Sequence, residues 1–259
     1  RIMEFTKLIV EKKDGYVVAA INHPPANAMA QGVLKDLNAL LDQCLEDDGV
    51  RAIVITGSGE KLFSAGADIT EFAHYQAGGK PEISGVDVYF KIERYPKPII
   101  AAIQGGAFGG GLELALACHI RYMADTAMVG LPEVKLGILP GWGGTQRLPR
   151  VAGKAKALEM MLTGDYIGAQ EALQFGIVTR VFPKDQVLAE AEKLAARLAK
   201  GAPIAMKAIL RAVTEGMETT VEEGIKIEQE GSAACFASED AKEGAKAFLE
   251  KRPAQFKGR

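Results

Sequence analysis

The apolar positions of this chain change spacing several times, and each change marks an expected element. Residues 7–11 and 16–21 are strand-like runs, and Asp14-Gly15 between them is a short-range hairpin signal. Val33, Leu34, Leu37, Leu40, Leu41, Cys44 and Leu45 recur with helical spacing, which predicts an amphipathic helix with one buried stripe and completes a β-β-α unit. Residues 50–56 read as a mostly apolar strand stopped by Gly57-Ser58-Gly59, and residues 62–68 as a small-residue turn into a new helix. The polar, glycine-containing segment 71–85 is expected to pack loosely or move. Residues 99–103 and 119–123 read as strands, 155–162 and 169–175 as helices, the second closed by Gly176, and 177–182 as a strand. Two prolines and four glycines within 131–145 predict a shaped loop rather than a regular element.

From Gln186 onward the strand pattern is lost. Leu188, Ala191, Leu194, Ala195 and Leu198 make a helical stripe, Pro203 suits the first turn of a second helix, Thr220 and Glu223 fit a capping box for a third, and Ser238 opens a fourth. The chain therefore divides into a mixed α/β core over 1–195 and an all-helical region over 196–259, whose many Ala and Met positions suit packing against another subunit.

One stretch breaks the amphipathic rule. Leu112, Leu114, Ala115, Leu116, Ala117 and Cys118 form a helix that is apolar on every side, and Glu113 is its only charge. Such a carboxylate must find partners or raise its pKa. Gly109, Gly110 and Gly111 precede it, and three residues without Cβ let a ligand touch helix N-terminal amides. An acid beside exposed amides is the composition of a general acid/base next to an oxyanion hole, although a first-turn glutamate that merely satisfies its own helix has the same sequence. The run opens no G-x-G-x-x-G register and no Lys-Ser/Thr follows it, so neither a dinucleotide loop nor a P-loop is supported.

Composition narrows the class. The 259 residues are 48% hydrophobic with a net charge of -2, enough for a large core and too balanced for a dedicated nucleic-acid or membrane-surface protein. Cys44, Cys118 and Cys235 are far apart, like reduced thiols of an intracellular protein, and His23, His74 and His119 lack metal-ligand spacing, so they read as structural. No apolar run approaches a membrane span and no secretory h-region is visible, which points to the cytoplasm. Met3 reads as the natural start.

Five stretches together resemble the crotonase superfamily, most closely its enoyl-CoA hydratases. They are Phe63-Ser64-Ala65-Gly66-Ala67-Asp68-Ile69, Gly109-Gly110-Gly111-Leu112-Glu113-Leu114-Ala115, Leu131-Pro132-Glu133, Pro140-Gly141-Trp142-Gly143-Gly144-Thr145-Gln146-Arg147-Leu148 and Glu250-Lys251-Arg252-Pro253-Ala254-Gln255-Phe256-Lys257. The resemblance implies an α/β fold, a spiral of β-β-α units followed by C-terminal trimerising helices, assembled as a trimer or a dimer of trimers. It implies an acyl-CoA thioester substrate, an oxyanion hole from the backbone N–H groups of Ala67 and Gly110, and Glu113 and Glu133 as the two catalytic acids. Gly141 matches a position that helps place the reacting water; Ala65, Asp68, Ile69 and Trp142 fall in substrate-binding stretches. Phe248, Phe256 and Lys257 match a tail that lies near the CoA of a neighbouring subunit. His119 and Trp142 depart from the commonest pattern, where Asp and a small residue stand; His119 is expected to be structural and Trp142 to narrow the acyl pocket.

The chemistry so implied is addition of water across a trans-2-enoyl-CoA, with no metal and no cofactor beyond the coenzyme A of the substrate. An isomerase of the same superfamily needs only one proton-shuttling acid. Glu113, beside the oxyanion amides, is expected to move the proton at the α-carbon, whereas Glu133 is needed only if a water must also be activated, so its presence favours hydration. A non-catalytic RNA-binding or scaffold role lacks the basic stripe it would require.

Overall fold

The computed structural model describes residues 4–259, so the expected start at Met3 lies outside them. The hairpin of β1 (Leu8–Lys12) and β2 (Tyr16–Ile21) turns at Gly15, whose φ of +83° explains the glycine. α1 (Gln31–Glu46) follows, burying Val33, Leu34, Leu37, Leu40, Leu41 and Cys44, all members of the expected stripe.

Three times the chain then repeats one move: a long strand, a short strand in a second sheet, and a helix. β3 (Ala52–Gly57) leads to β4 (Leu62–Ser64), a 3-10 turn over Ile69–Glu71, α2 (Phe72–Gln76) and α3 (Gly85–Glu93). β5 (Ile99–Ile103) leads to β6 (Gly106–Phe108) and α4 (Gly110–Ala117). β7 (Ile120–Ala124) leads to β8 (Met128–Gly130), a 3-10 turn over Pro132–Leu136 and α5 (Gly144–Ala152). α6 (Lys154–Thr163), β9 (Ile167–Gly168), α7 (Ala169–Gln174), β10 (Arg180–Phe182), α8 (Val187–Ala199), α9 (Pro203–Gly216), α10 (Val221–Ala237) and α11 (Glu239–Leu249) complete the chain.

The long strands order as β1-β2-β3-β5-β7-β10, parallel except for β1; the short ones as β4-β6-β8-β9, parallel except for β9. This is the expected spiral of β-β-α units. Every residue of β3 and β5 is buried, as their largely apolar runs require, and α8 covers β2, β3 and β5.

Buried amides rivet the corners between the two sheets. Gln104 Nε2 donates to the carbonyls of Gly57 (2.9 Å) and Leu62 (3.0 Å), and Asn27 Nδ2 donates to those of Ser58 and Leu62, both at 3.0 Å. These bonds satisfy backbone that leaves one sheet before entering the other.

Several local expectations change. Residues 62–64 form a strand rather than part of a turn, and 106–108 form another, because each pairs with a neighbour of the second sheet. The segment 71–85 is pinned at both ends: Glu71 Oε1 accepts the Gln31 N–H, and Gln31 exchanges two hydrogen bonds with the Ile83 backbone. The loop 131–145 contains a 3-10 turn and the start of α5. The boundary expected at 195/196 falls inside α8, whose Ala195 and Ala199 are buried. Thr220 caps α10 by accepting the Glu223 N–H at 3.3 Å, but the Glu223 carboxylate pairs with Lys226 instead of closing the capping box.

Candidate active site

Two turns that leave β4 and β6 meet at the N-terminus of α4. Gly66 (φ +103°) and Gly109 (φ +52°) take conformations that suit glycine, and a Cβ on Gly66 would stand 2.9 Å from the Phe108 carbonyl oxygen and 3.2 Å from Gly110 N. A Cβ on Gly110 would lie 3.3 Å from Ala67 N, so the two amides are close neighbours. Among the described residues neither N–H has a protein acceptor. Tyr89 holds this turn from α3 by donating its buried hydroxyl to the Gly110 carbonyl at 2.7 Å. The result is a pair of free donors at a buried helix start, the geometry that receives a carbonyl oxygen gaining negative charge.

Glu113 lies in the first turn of α4 and is 2% exposed. Its Oε1 accepts the Trp142 N–H at 2.9 Å and the Gly144 N–H at 2.8 Å. Gly144 opens α5, so the carboxylate is bound by the N-terminus of a second helix. A Cβ on Gly144 would stand 2.9 Å from Glu113 Oε1, which leaves only glycine to bring that amide so close. Burial pushes the Glu113 pKa up to about 7; the Gly144 amide opposes that shift, the charge of Glu133 adds to it, and the Trp142 amide and Arg147 also oppose it.

Glu133 reaches the same corner from the 3-10 turn after β8. It is buried, and among the described residues its Oε2 has no hydrogen-bond partner. Its Oε1 faces Gly109, where a Cβ would stand 2.7 Å away. Burial raises its pKa as well. The site thus joins two carboxyl groups of unequal support: one held by two amides, one with an orphaned oxygen.

Trp142 is wedged between α3 and α4. Its indole fills the space that side chains on Gly85 and Gly110 would occupy, and it meets Tyr89 edge-on at 5.7 Å and 88°. Gly141 is exposed next to it.

The enoyl-CoA hydratase/isomerase family profile matches residues 11–259. The chain belongs to this family. It is 48% identical over 246 residues, 93% of this chain and 95% of the other, to a probable enoyl-CoA hydratase of Bacillus subtilis (strain 168). It is 41% identical over 257 residues, 98% of this chain and 99% of the other, to a crotonyl-CoA hydratase of Syntrophomonas wolfei. The crystal structure of an enoyl-CoA hydratase from Bacillus anthracis superposes with a TM-score of 0.91 at 34% identity, covering 98% of this chain and 100% of that one.

The remaining residues singled out from the family resemblance divide by position. Ala65 and Ile69 are exposed beside the Ala67 turn. Asp68 spends its carboxylate on Thr70, accepting the N–H at 3.0 Å and the hydroxyl at 2.7 Å, and these bonds hold it below the usual carboxylate range. Phe256 and Lys257 pack elsewhere. The Phe256 carbonyl accepts from Arg51 at 3.1 Å, and Lys257 lines a cleft with Arg51 and Pro98. Arg51 and Pro98 precede β3 and β5, whereas the glycine turns come after them, so these two tail residues stand at the opposite end of the sheet from the acids of the same chain. Phe248 projects from α11 at 83% exposure.

His119 is structural, as expected. Its Nδ1 accepts the Ile99 N–H at 2.9 Å, its Nε2 lies 3.1 Å from the Glu93 carbonyl, and burial depresses its pKa. Two arginines were not foreseen in any role. Arg121 is buried and donates to the carbonyls of Ile177 (2.6 Å) and Cys118 (2.7 Å), closing the C-terminus of α4. Arg147 pairs with Glu93. Ile177 and Glu93, the partners that tie these arginines to other elements, are distant in sequence, although Arg147 stands in the quoted motif around Gly144.

Proposed function

We propose that this protein is an enoyl-CoA hydratase that adds water across the double bond of a trans-2-enoyl-CoA to give a 3-hydroxyacyl-CoA. The observation that carries the reading is the convergence of Glu113 and Glu133, from separate elements, beside the free amides of Ala67 and Gly110. The thioester oxygen sits on the two amides, each worth about 3 kcal/mol as charge develops on that oxygen.

The unequal support of the acids assigns their roles. Two N–H donors favour the ionised form, so Glu113 carries the negative charge of the pair and, in place of the α-carbon role expected from the sequence, takes the proton of the attacking water. Glu133, with its orphaned oxygen, is the neutral partner and gives its proton to C2 as hydroxide adds to C3. Transfer of a proton from Glu113 back to Glu133 resets the site, and the two titrate as a coupled pair. Gly141, at the mouth, helps place the water. Carboxyl groups, amides and water complete the reaction, so no metal or further cofactor is assigned. Isomerisation needs one acid only, and a second buried carboxyl is the reason to prefer hydration.

The same proposal places the acyl-CoA near Ala65, Asp68, Ile69 and Trp142, and assigns Phe248, Phe256 and Lys257 to the CoA of a neighbouring subunit. Exposed Ile209 and Val213 on α9, Met217 at its C-terminal end, and Ile225 and Phe236 on α10 support assembly through this region as a trimer or a dimer of trimers. Among the described residues no helix is long and apolar enough to cross a membrane, and the three free cysteines support a reducing, cytoplasmic setting.

The test is hydration of enoyl-CoA esters of increasing chain length, followed by loss of enoyl absorbance. Turnover of crotonyl-CoA is expected. Failure to hydrate any of them, with a double-bond shift in a 3-enoyl-CoA, overturns the hydratase assignment.

A further inference from the structure

Arg147 is joined to Glu113 through a loop and makes no hydrogen bond to it. Its guanidinium grips the Glu93 carboxylate at the end of α3 with two hydrogen bonds, Nε to Oε1 at 2.9 Å and Nη2 to Oε2 at 2.8 Å, and the arginine is buried. The remaining nitrogen, Nη1, donates to the Trp142 carbonyl at 3.1 Å. The amides on either side of that stretch, Trp142 N–H and Gly144 N–H, are the two that hold Glu113. Gly143 between them has a φ of +107°, and a Cβ on it would collide with Nη1. Gly143 is thus fitted to the arginine as Gly144 is fitted to the carboxylate. His119 secures the frame by tying the Glu93 backbone to β5.

We infer that the Arg147–Glu93 pair is a positioning device for the reaction, holding the 142–144 loop and lending charge so that Glu113 stays a carboxylate. This rests on the hydratase reading, in which Glu113 is the base. The titratable and charged groups facing Glu113 are Glu133 from the 3-10 turn, Tyr89 from α3 and Arg147 from α5, with Glu93 neutralising the arginine from behind. Among these Arg147 is the one cation. Without it, burial and Glu133 are opposed by the loop amides alone.

An ion pair that only holds the fold together loses the same thing whichever half is removed. A positioning pair gives opposite signs. Arg147→Gln removes the cation, so the acid limb of kcat/KM for crotonyl-CoA should move to higher pH by about one unit, with activity recovering as pH rises. Glu93→Gln leaves the arginine uncompensated, and the limb should move to lower pH. Arg147→Lys keeps the charge and loses the two-pronged grip, so kcat should fall with the limb in place. An infrared titration of the Glu113 carboxyl band, identified by its loss in Glu113→Gln, should give the same order without turnover. Limbs that move in the same direction, or stay fixed in both Gln variants, overturn the inference. Should Arg147→Gln fail to fold, the sign in Glu93→Gln decides alone. A wild-type protein that does not hydrate crotonyl-CoA overturns the hydratase reading instead, and the infrared order still decides what the pair does.

Discussion

The corner around Glu113 and the C-terminal helices both present apolar helices, and they end in opposite states. All eight residues of α4 are buried and their single charge is held by amides of the same chain, while the Gly110 N–H stays free. α9 and α10 run for 14 and 17 residues without a buried residue between them, and Phe236 is 80% exposed. They do pack on each other closely, since a Cβ on Gly216 would meet Gly224 at 3.4 Å. What they lack is a surface for their outer stripe. Covering one large side chain stabilises by roughly 1.5–3 kcal/mol, so a stripe that includes Ile209, Val213 and Met217 is a substantial driving force for association. The corner buries its apolar helix within one chain, whereas the tail leaves its outer stripe exposed in it.

Breaking the corner has the largest expected effect. Glu113→Gln keeps the shape and removes the ionisable oxygen, and crotonyl-CoA hydration should fall by about 10²-fold to 10⁴-fold. Gly110→Pro removes one donor and should cost about 10²-fold or more, with circular dichroism confirming the fold. Full activity in that variant removes Gly110 from the oxyanion hole.

Breaking the tail changes mass rather than chemistry. Light scattering of the intact protein should give a multiple of three chains, and Val213→Asp with Met217→Asp should reduce it to one. An unchanged mass moves the interface elsewhere.

The corner also stores a pH-dependent cost. Glu113 has a folded pKa of about 7 against an ordinary 4.5, so its contribution to stability is fully present below 4.5 and is lost as pH rises through 7. Wild type should therefore lose up to about 3 kcal/mol relative to Glu113→Gln across that window. Thermal unfolding at pH 4.5 and pH 8 reads the difference; a gap that stays constant contradicts the burial of an ionised Glu113. The smallest effect is expected at the tail's helix starts: Thr220→Ala removes the α10 cap and should cost about 1 kcal/mol in a denaturant titration.

The elements most legible in the chain are those whose pattern is long or extreme. The α1 stripe and the all-apolar helix bearing Glu113 were readable from spacing alone. β4, β6 and β8 were not, because three residues containing glycine or serine carry no periodicity, and their pairing is decided by a second sheet that sequence order does not reveal. α3 does leave a trace in the chain: Ser84 caps it, and Val88, Tyr89 and Ile92 are spaced to bury one face. Glu133 and the amides of Ala67 and Gly110 entered through the family resemblance, since a loop acid and a small-residue turn look ordinary one at a time. Gln104, Arg121 and the Glu93–Arg147 pair stayed hidden because Gly57, Ile177 and the two halves of the ion pair are distant in sequence and meet only once the spiral is wound.

The central claim is that two carboxyl groups divide one hydration between them, and Glu133→Gln tests it most directly. The substitution keeps the size of the side chain and removes the proton that C2 must receive. Hydration of crotonyl-CoA, followed beside isomerisation of a 3-enoyl-CoA, should fall by roughly 10²-fold to 10⁴-fold, and the double variant with Glu113→Gln should lose less than the product of the two. Hydration by Glu133→Gln at the wild-type rate contradicts the two-acid account.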